Sequence, residues 1–267
     1  MSSEGNGSKD PDSDSADLQK PDSENLVVSA IDYIRGILSA SGEASGTPTV
    51  AWQKKSLCEW ARSLGLLLKP DLIVPRLERG GQEHDIFRDG ERVIKVTRYG
   101  VFGLSPGIEL ALVASSVDAR RFHLWEATPL DYLERLLLHN QLVPGLNQLE
   151  GVLAQADGDL AIVTSQPRFD ILPVSQAEID AWFASLGFQR ITSAGYYREQ
   201  DNLGIFDAHD RNVIRAEGTL VPFDIIPCHP AGGFLRFIAD ILSAGHSIEA
   251  VRTVKTEEKE KVLLGEP

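Results

Sequence analysis

The chain has 267 residues, 42% apolar and 24% charged, with a net charge of −13. That length supplies a core for one large or two small domains, and the acidic balance argues against direct nucleic-acid binding, which calls for a basic face. Cys58 and Cys228 form no Cys-x-x-Cys pair, no apolar run reaches the roughly 20 residues that span a bilayer, and no secretory signal opens the chain, so a cytoplasmic protein without a membrane partner is expected.

Residues 1–25 are rich in Ser, Gly, Asp and Pro, with Glu4, Asp10, Asp12, Asp14, Asp17, Asp22 and Glu24 against Lys9 and Lys20. Such a segment has too little apolar surface to offset its ordering entropy and reads as a disordered acidic tail. Val27, Val28, Ile31, Ile34, Ile37 and Leu38 then recur at helical spacing from Leu26 to Ser39. After a Gly/Ser/Thr/Pro linker, Trp52, Leu57, Trp60, Leu64 and Leu67 mark a second helix over Val50 to Leu67. A helical pair is too small to be stable alone, so residues 26–69 are expected to dock on something larger.

From Asp71 the pattern turns to strands: Leu72 to Val74, Asp85 to Arg88 and Glu91 to Arg98, with Gly80 and Gly81 before the second and an Asp89-Gly90 turn after it. In the third, Val93, Lys95 and Thr97 share a face while Ile94 and Val96 point the other way. A lysine there either guards a sheet edge or is buried for a purpose. Ile108 to Val117 fits helix and strand equally. Thr128-Pro129 is a helix start with Asp131 in the first turn, and the helix buries Leu130, Leu133, Leu136 and Leu137, with Glu134 beside that face. Strands at Leu149 to Leu153 and Leu160 to Val163 flank Asp157-Gly158, and Ser165-Gln166-Pro167 leaves the sheet extended. Ser175 with Glu178 is a capping box for a helix over Ala177 to Leu186, and Gly233 to Ala244 is a final helix.

Between the apolar runs Leu203 to Phe206 and Leu220 to Ile226 sits a polar loop with Asp207, His209, Asp210 and Asn212, and Asp224 lies inside the second run. An ionised carboxylate in an apolar strand needs a partner charge or a metal.

A lysine in a third strand, Asp-x-x-x-x-Asn in a loop and a later aspartate in an apolar strand are fixed points of the protein-kinase fold. The loop Asp207-Ala-His-Asp-Arg-Asn212 resembles the D-x-H-x-x-N loop of aminoglycoside and choline kinase relatives. More closely still, Gly81 to Asp85, Val93 to Thr97, Ser165 to Pro167, Asp207 to Asn212 and Leu220 to Asp224 resemble, in that order, the kinase-like domains of bacterial and phage polyvalent proteins. The resemblance runs from about Asp71 to Ala244. It implies an α+β, two-lobed kinase-like fold: an N-lobe over residues 70–166 with a five-stranded antiparallel sheet, and a small, mainly helical C-lobe over 167–246. The helical extension precedes them and a charged tail, 247–267, follows.

The resemblance also implies roles. Lys95 would hold the α/β phosphates of ATP, oriented by Glu134. Asn212 and Asp224 would hold Mg²⁺, and Asp207 would orient or deprotonate the acceptor hydroxyl, with His209 supporting the loop. Gly80 and Gly81 would let backbone approach the phosphates, and Gln166 would add a nucleotide contact. The chain departs from the wider kinase pattern in having no Gly-x-Gly-x-x-Gly before Lys95, Ile225-Ile226-Pro227 in place of Phe-Gly, and no Ala-Pro-Glu. The acceptor is therefore open between a protein hydroxyl and a small molecule. Two other readings stand beside phosphotransfer: a kinase-like module that binds nucleotide without turnover, and a metal hydrolase built from Asp207, His209, Asp210, Cys228 and His229, whose mixed donors suit Zn²⁺.

Overall fold

The computed structural model describes residues 23–40, 49–78, 83–113, 116–170 and 172–244. Residues 1–22 of the expected acidic tail, the charged C-terminal tail and the Gly80-Gly81 pair lie outside these residues, whereas Ser23 to Asn25, expected within the tail, open the first helix.

Helices α1 (Ser23–Ala40) and α2 (Val50–Ser63) come first, α2 capped by Thr49, whose side chain accepts from the Trp52 N–H. Gly65 in the left-handed region ends α2 short of the expected Leu67. Leu72 to Val74, expected as a strand, forms a helical turn instead: α3 (Pro70–Ile73) and a 3₁₀ turn, Val74–Arg76. Pro70 and Pro75 each stand at the start of their turn, where a missing N–H costs nothing.

The central sheet holds β1 (His84–Asp89), β2 (Arg92–Thr97), β5 (Gln148–Ala154) and β6 (Leu160–Pro167) in the antiparallel order β1-β2-β6-β5. It has four strands, not five. Where a fifth would lie, Glu78 alone exchanges both backbone hydrogen bonds with Ile86. Tight turns close the two hairpins, the first through Gly90 at φ 59°. Along the outer edge of β5, Leu66 and Leu68 exchange hydrogen bonds with Val152. Gly151 permits that approach, since a Cβ there would lie 2.4 Å from the Leu66 carbonyl oxygen.

The stretch that fitted both helix and strand belongs to a long hairpin, β3 (Leu104–Val113) with β4 (Ser116–Glu126). It leads into α4 (Pro129–Leu142), which opens on a capping box between Thr128 and Asp131. One face of the sheet packs against α1, α2 and α4 around Ile34, Leu57, Trp60, Leu133, Leu149 and Ile162. The helical extension thus completes the same core as the sheet. The other face, Phe87, Ile94, Val96, Leu153, Ala161 and Val163, is covered by Leu68, Ile73, Leu77 and Tyr99.

The C-terminal part, which the resemblance implied to be mainly helical, holds six short strands beside two helices. After α5 (Gln176–Ser185), with the expected Ser175/Glu178 capping box, come β7 (Gln189–Thr192), β8 (Gly195–Arg198) and β9 (Leu203–Phe206). A hairpin of β10 (Val213–Ala216) and β11 (Thr219–Pro222), then β12 (Ile226–Cys228) and α6 (Gly232–Ser243), complete it. The second sheet has the order β12-β9-β8-β7. Its strands are three or four residues long, too short for period-2 alternation to stand out. The result is a mixed α/β chain with antiparallel sheets and, among the described residues, six helices. No helix of the described residues is long and apolar enough to cross a membrane.

Because Leu57 is fully buried between the extension and the sheet, Leu57→Ala is expected to lower unfolding stability by about 3 kcal/mol. Urea unfolding should show one transition with an unchanged slope if the extension and sheet unfold together; a separate early transition for the extension would contradict the shared core.

Candidate functional site

Strand β2 is interior, flanked by β1 and β6, with Lys95 opposite Ile86 on one side and Thr164 on the other. The edge-guarding reading of Lys95 is thereby excluded. Its ammonium lies 2.9 Å from Asp224 Oδ1. Asp224 does not sit within a strand as the apolar run suggested. That run leaves the strand after Pro222, and Asp224 occupies the bend between β11 and β12. The β10–β11 hairpin closes at Val213↔Pro222, so the Phe223 and Asp224 N–H groups donate to the Asn212 carbonyl at 3.0 and 3.4 Å. Asn212 and Asp224 are therefore neighbours.

A second cation reaches the same carboxylate. Arg135 on α4 is 3.6 Å from Asp224 through Nη2, donates from Nε to the Ile225 carbonyl at 3.2 Å, and donates from Nη1 to Glu83 at 2.9 Å. Glu83 in turn presses on Gly103, where a Cβ would stand 2.7 Å from its Oε2. Burial alone would raise the Asp224 pKa, but Lys95 and Arg135 overcome it and hold the carboxyl well below the usual range. Burial likewise opposes charge on Arg135, and Glu83 and Asp224 outweigh it.

Helix geometry explains which α4 residues meet this cluster. Tyr132, Arg135, Leu136 and His139 follow the i, i+3, i+4, i+7 stripe and face the Lys95 side of the sheet, bordering a small cavity of about 10 Å³ with His84, Asn147 and Thr164. Glu134 is rotated roughly 100° from Arg135 and pairs instead with Arg35 of α1 at 2.6 Å. The expected Glu134–Lys95 pair is not formed. Glu134 borders a different cavity, about 490 Å³, on the other flank of α4.

The two histidines beside the cluster are held neutral. Burial, reinforced by the charges of Lys95 and Arg135, lowers His84 to about 3, and its Nε2 lies 2.9 Å from the Tyr132 hydroxyl. Burial also lowers His139 to about 4, and its Nε2 donates to the Pro222 carbonyl. Nothing in the hydrophobic pattern marked Glu83, His84, Arg135 or His139. The available signal was three polar residues among the Leu-rich positions of α4, on the Tyr132–His139 stripe.

Asp207 stands in the left-handed region at φ 58°, a conformation that Asp and Asn tolerate better than other side chains. Asn212 Nδ2 donates to both its carbonyl and its Oδ2, each at 2.8 Å. His209 accepts the Arg211 N–H at Nδ1, which directs Nε2 toward Asp207 Oδ1 at 3.4 Å. The loop is anchored from behind by the Ala208 N–H on the Ala194 carbonyl. With its Nδ2 spent on Asp207, Asn212 keeps its amide oxygen uncommitted, and Asp224 keeps Oδ2. These two hard oxygens fit Mg²⁺. The hydrolase donor set is not assembled. Cys228 and His229 line the larger cavity, the Cys228 thiol is pushed up to about 12 by burial, and His229 Nδ1 donates to the Asn202 carbonyl. Among the described residues no group of three or more His, Cys, Asp and Glu side chains is placed to hold a metal. Gln166 lies on the Lys95 face of β6, buried, with Oε1 lacking a hydrogen-bond partner.

His84 and His139 carry a pH dependence whose sign is fixed. Both folded-state pKa values lie below the ordinary 6.5, so the unfolded chain binds more protons below that pH, and stability present at pH 7 is lost as pH falls. Each should cost about 2 kcal/mol by pH 5. Asp224, whose pKa is depressed, adds to acid lability only below the ordinary carboxylate pKa. Urea midpoints at pH 7 and pH 5 check this: His84→Gln and His139→Gln should each shrink the difference, and equal differences in all three proteins would contradict it.

No curated protein and no solved structure matches the chain. Residues 113–227 match the family model described as "Serine/Threonine/Tyrosine Kinase found in polyvalent proteins". The match spans α4, β5, β6, the Asp207–Asn212 loop and Asp224, and begins after Lys95. This match, over the elements that assemble around Asp224, supports a kinase-like domain similar to those found in polyvalent proteins.

Proposed function

We propose that the protein is an Mg-ATP-dependent phosphotransferase of atypical kinase type, acting on a hydroxyl acceptor. One observation carries the reading most: the 2.9 Å contact between Lys95 and Asp224, residues 129 positions apart, with Asn212 hydrogen-bonded beside them. Lys95 is a cation fixed on an interior strand, suited to phosphate oxygens. Asp224 and Asn212 would hold Mg²⁺ through their uncommitted oxygens. When bound, Mg²⁺ neutralises charge on the transferring phosphoryl group. Asp207, aligned by Asn212 and His209, accepts a hydrogen bond from the acceptor hydroxyl and can take its proton. Gly80 and Gly81 stand just before β1, where close backbone approach to phosphates is useful, and Gln166 faces the same side as Lys95. The family description supports a hydroxyl acceptor; a protein side chain and a small molecule both satisfy it. Abundant ATP and the free thiols of Cys58 and Cys228 suit a cytoplasmic setting.

A second reading, a nucleotide-binding module without turnover, draws on the fact that Asp224 is already answered by two cations, Lys95 and Arg135. Turnover separates the two. ATP with Mg²⁺ should raise the melting temperature and excess chelator should remove the effect; no metal-dependent stabilisation would overturn both. Asp207→Asn keeps the left-handed backbone and should lower ATP consumption about 10²–10⁴-fold while nucleotide affinity changes little. Wild-type protein that binds but never consumes ATP in the presence of candidate acceptors would favour the module. Asp224→Asn should weaken the Mg²⁺ dependence of binding more than binding of ATP in chelator.

A further inference from the structure

The cavity of about 490 Å³ on the outer flank of α4 shares only Arg135 and its neighbours on that helix with the Asp224 cluster. Its size falls within the roughly 300–1,000 Å³ of small-molecule sites. Ile31 of α1 and Leu104 of β3 supply two of its walls, and both lie outside the stretch 113–227. Leu138 of α4 and Ile226 of β12 are buried and line its interior, whereas the Arg35–Glu134 pair is exposed and marks its mouth. The interior is therefore apolar, and the question is which polar groups face an occupant.

Arg35, Asp131, Glu134 and Arg135 are the Arg, Asp and Glu side chains that border it. Arg135 is committed to Glu83, Asp224 and the Ile225 carbonyl, and Arg35 to Glu134 at 2.6 Å. Asp131 remains. Its Oδ2 accepts the Thr128 N–H at 2.8 Å as part of the α4 cap; among the described residues Oδ1 has no hydrogen-bond partner, and no side-chain cation pairs with the carboxylate. Asp131 and Glu134 are three residues apart on one helix, with Cβ atoms about 5–6 Å from each other, so two carboxylates share the single Arg35. His229 adds a further acceptor. Its Nδ1 donates to the Asn202 carbonyl at 2.8 Å, which leaves Nε2 as the accepting nitrogen of the neutral ring. The Cys228 thiol, kept protonated by burial and then by the charge of Asp131, contributes no charge. An ammonium group supplies both what the lining lacks, a positive charge, and the donors that its acceptors call for. An apolar body on that ammonium displaces water from Ile31, Leu104, Leu138 and Ile226.

We propose that this cavity binds a small organic cation, a primary amine with an apolar body, whose ammonium group is held by Asp131. The site is independent of the Mg-ATP reading, because none of the residues given a role with ATP or Mg²⁺ borders it.

The test titrates octylamine, its neutral isostere octanol and the anion octanoate into the full chain by calorimetry, with no nucleotide present. Wild-type protein should bind octylamine at least about tenfold more tightly than octanol, the worth of a hydrogen bond to a charged partner, and octanoate most weakly. Asp131→Asn keeps an acceptor for the Thr128 N–H and should bring octylamine down to the affinity of octanol, with octanol unchanged. Leu137→Trp places an indole at a half-buried position of the lining and should abolish binding of both. Three results on the wild type alone would overturn the proposal: equal affinity for amine and alcohol, tightest binding of octanoate, or no binding of any of the three at about 1 mM. A preference for the amine that survives Asp131→Asn, or binding that survives Leu137→Trp, would overturn it as well.

Discussion

A carboxylate placed where Asp224 stands has to be answered by positive charge, because burial alone would force it to take up a proton. The chain answers it twice, from β2 through Lys95 and from α4 through Arg135, and the second cation brings its own acid, Glu83. Two positive and two negative groups therefore close a neutral set across four separate parts of the chain. Such a cluster adds less to stability than its contacts suggest, because four charges leave water to form it. What it fixes is relative position: the start of β1, the middle of β2, one face of α4 and the bend after β11 meet at one point.

The neutral histidines fit the same constraint. A protonated His84 or His139 would add a third positive charge to a region already holding Lys95 and Arg135, and both rings instead make neutral hydrogen bonds, to Tyr132 and to the Pro222 carbonyl. The Pro222 contact ties α4 to the strand leading to Asp224, so the histidine acts on the geometry of the bend as well as on its electrostatics. The Asp207 loop is organised on a smaller scale. Its strained backbone is carried by the residue whose carboxylate is wanted, and Asn212 links that residue to the segment bearing Asp224.

Much of this was legible in the residues. Lys95, Asp207, Asn212 and Asp224 were marked by type and spacing, and the structure brings Lys95, Asn212 and Asp224 together. The N-cap signals at Thr128 and Ser175 placed two helices within a residue or two, because such caps are local chemistry. Less local features were not legible. The fifth strand shrinks to the single Glu78–Ile86 bridge, and nothing within Leu72 to Val74 shows that Pro70 will start a helix there instead. The strands after α5 are too short to show a period. The resemblance to kinases implies an acid on this helix and points to Glu134; the helix instead turns Glu134 to Arg35 and leaves Arg135, one residue on, facing the site. In this chain the helix supplies the cation and the strand entry supplies the acid.

That inversion changes what α4 can do. Arg135 borders both cavities that flank the helix, gripping Asp224 and the Ile225 carbonyl on one side while its helix carries the Arg35–Glu134 pair on the other. A helix tied to its neighbouring segment by a single salt bridge can swing out and leave that segment behind. Here any outward swing of α4 drags the backbone at Ile225, or strips a buried guanidinium of three partners at once. Helix and Asp224 segment are mechanically one part, and a ligand that shifts either one displaces the other with it.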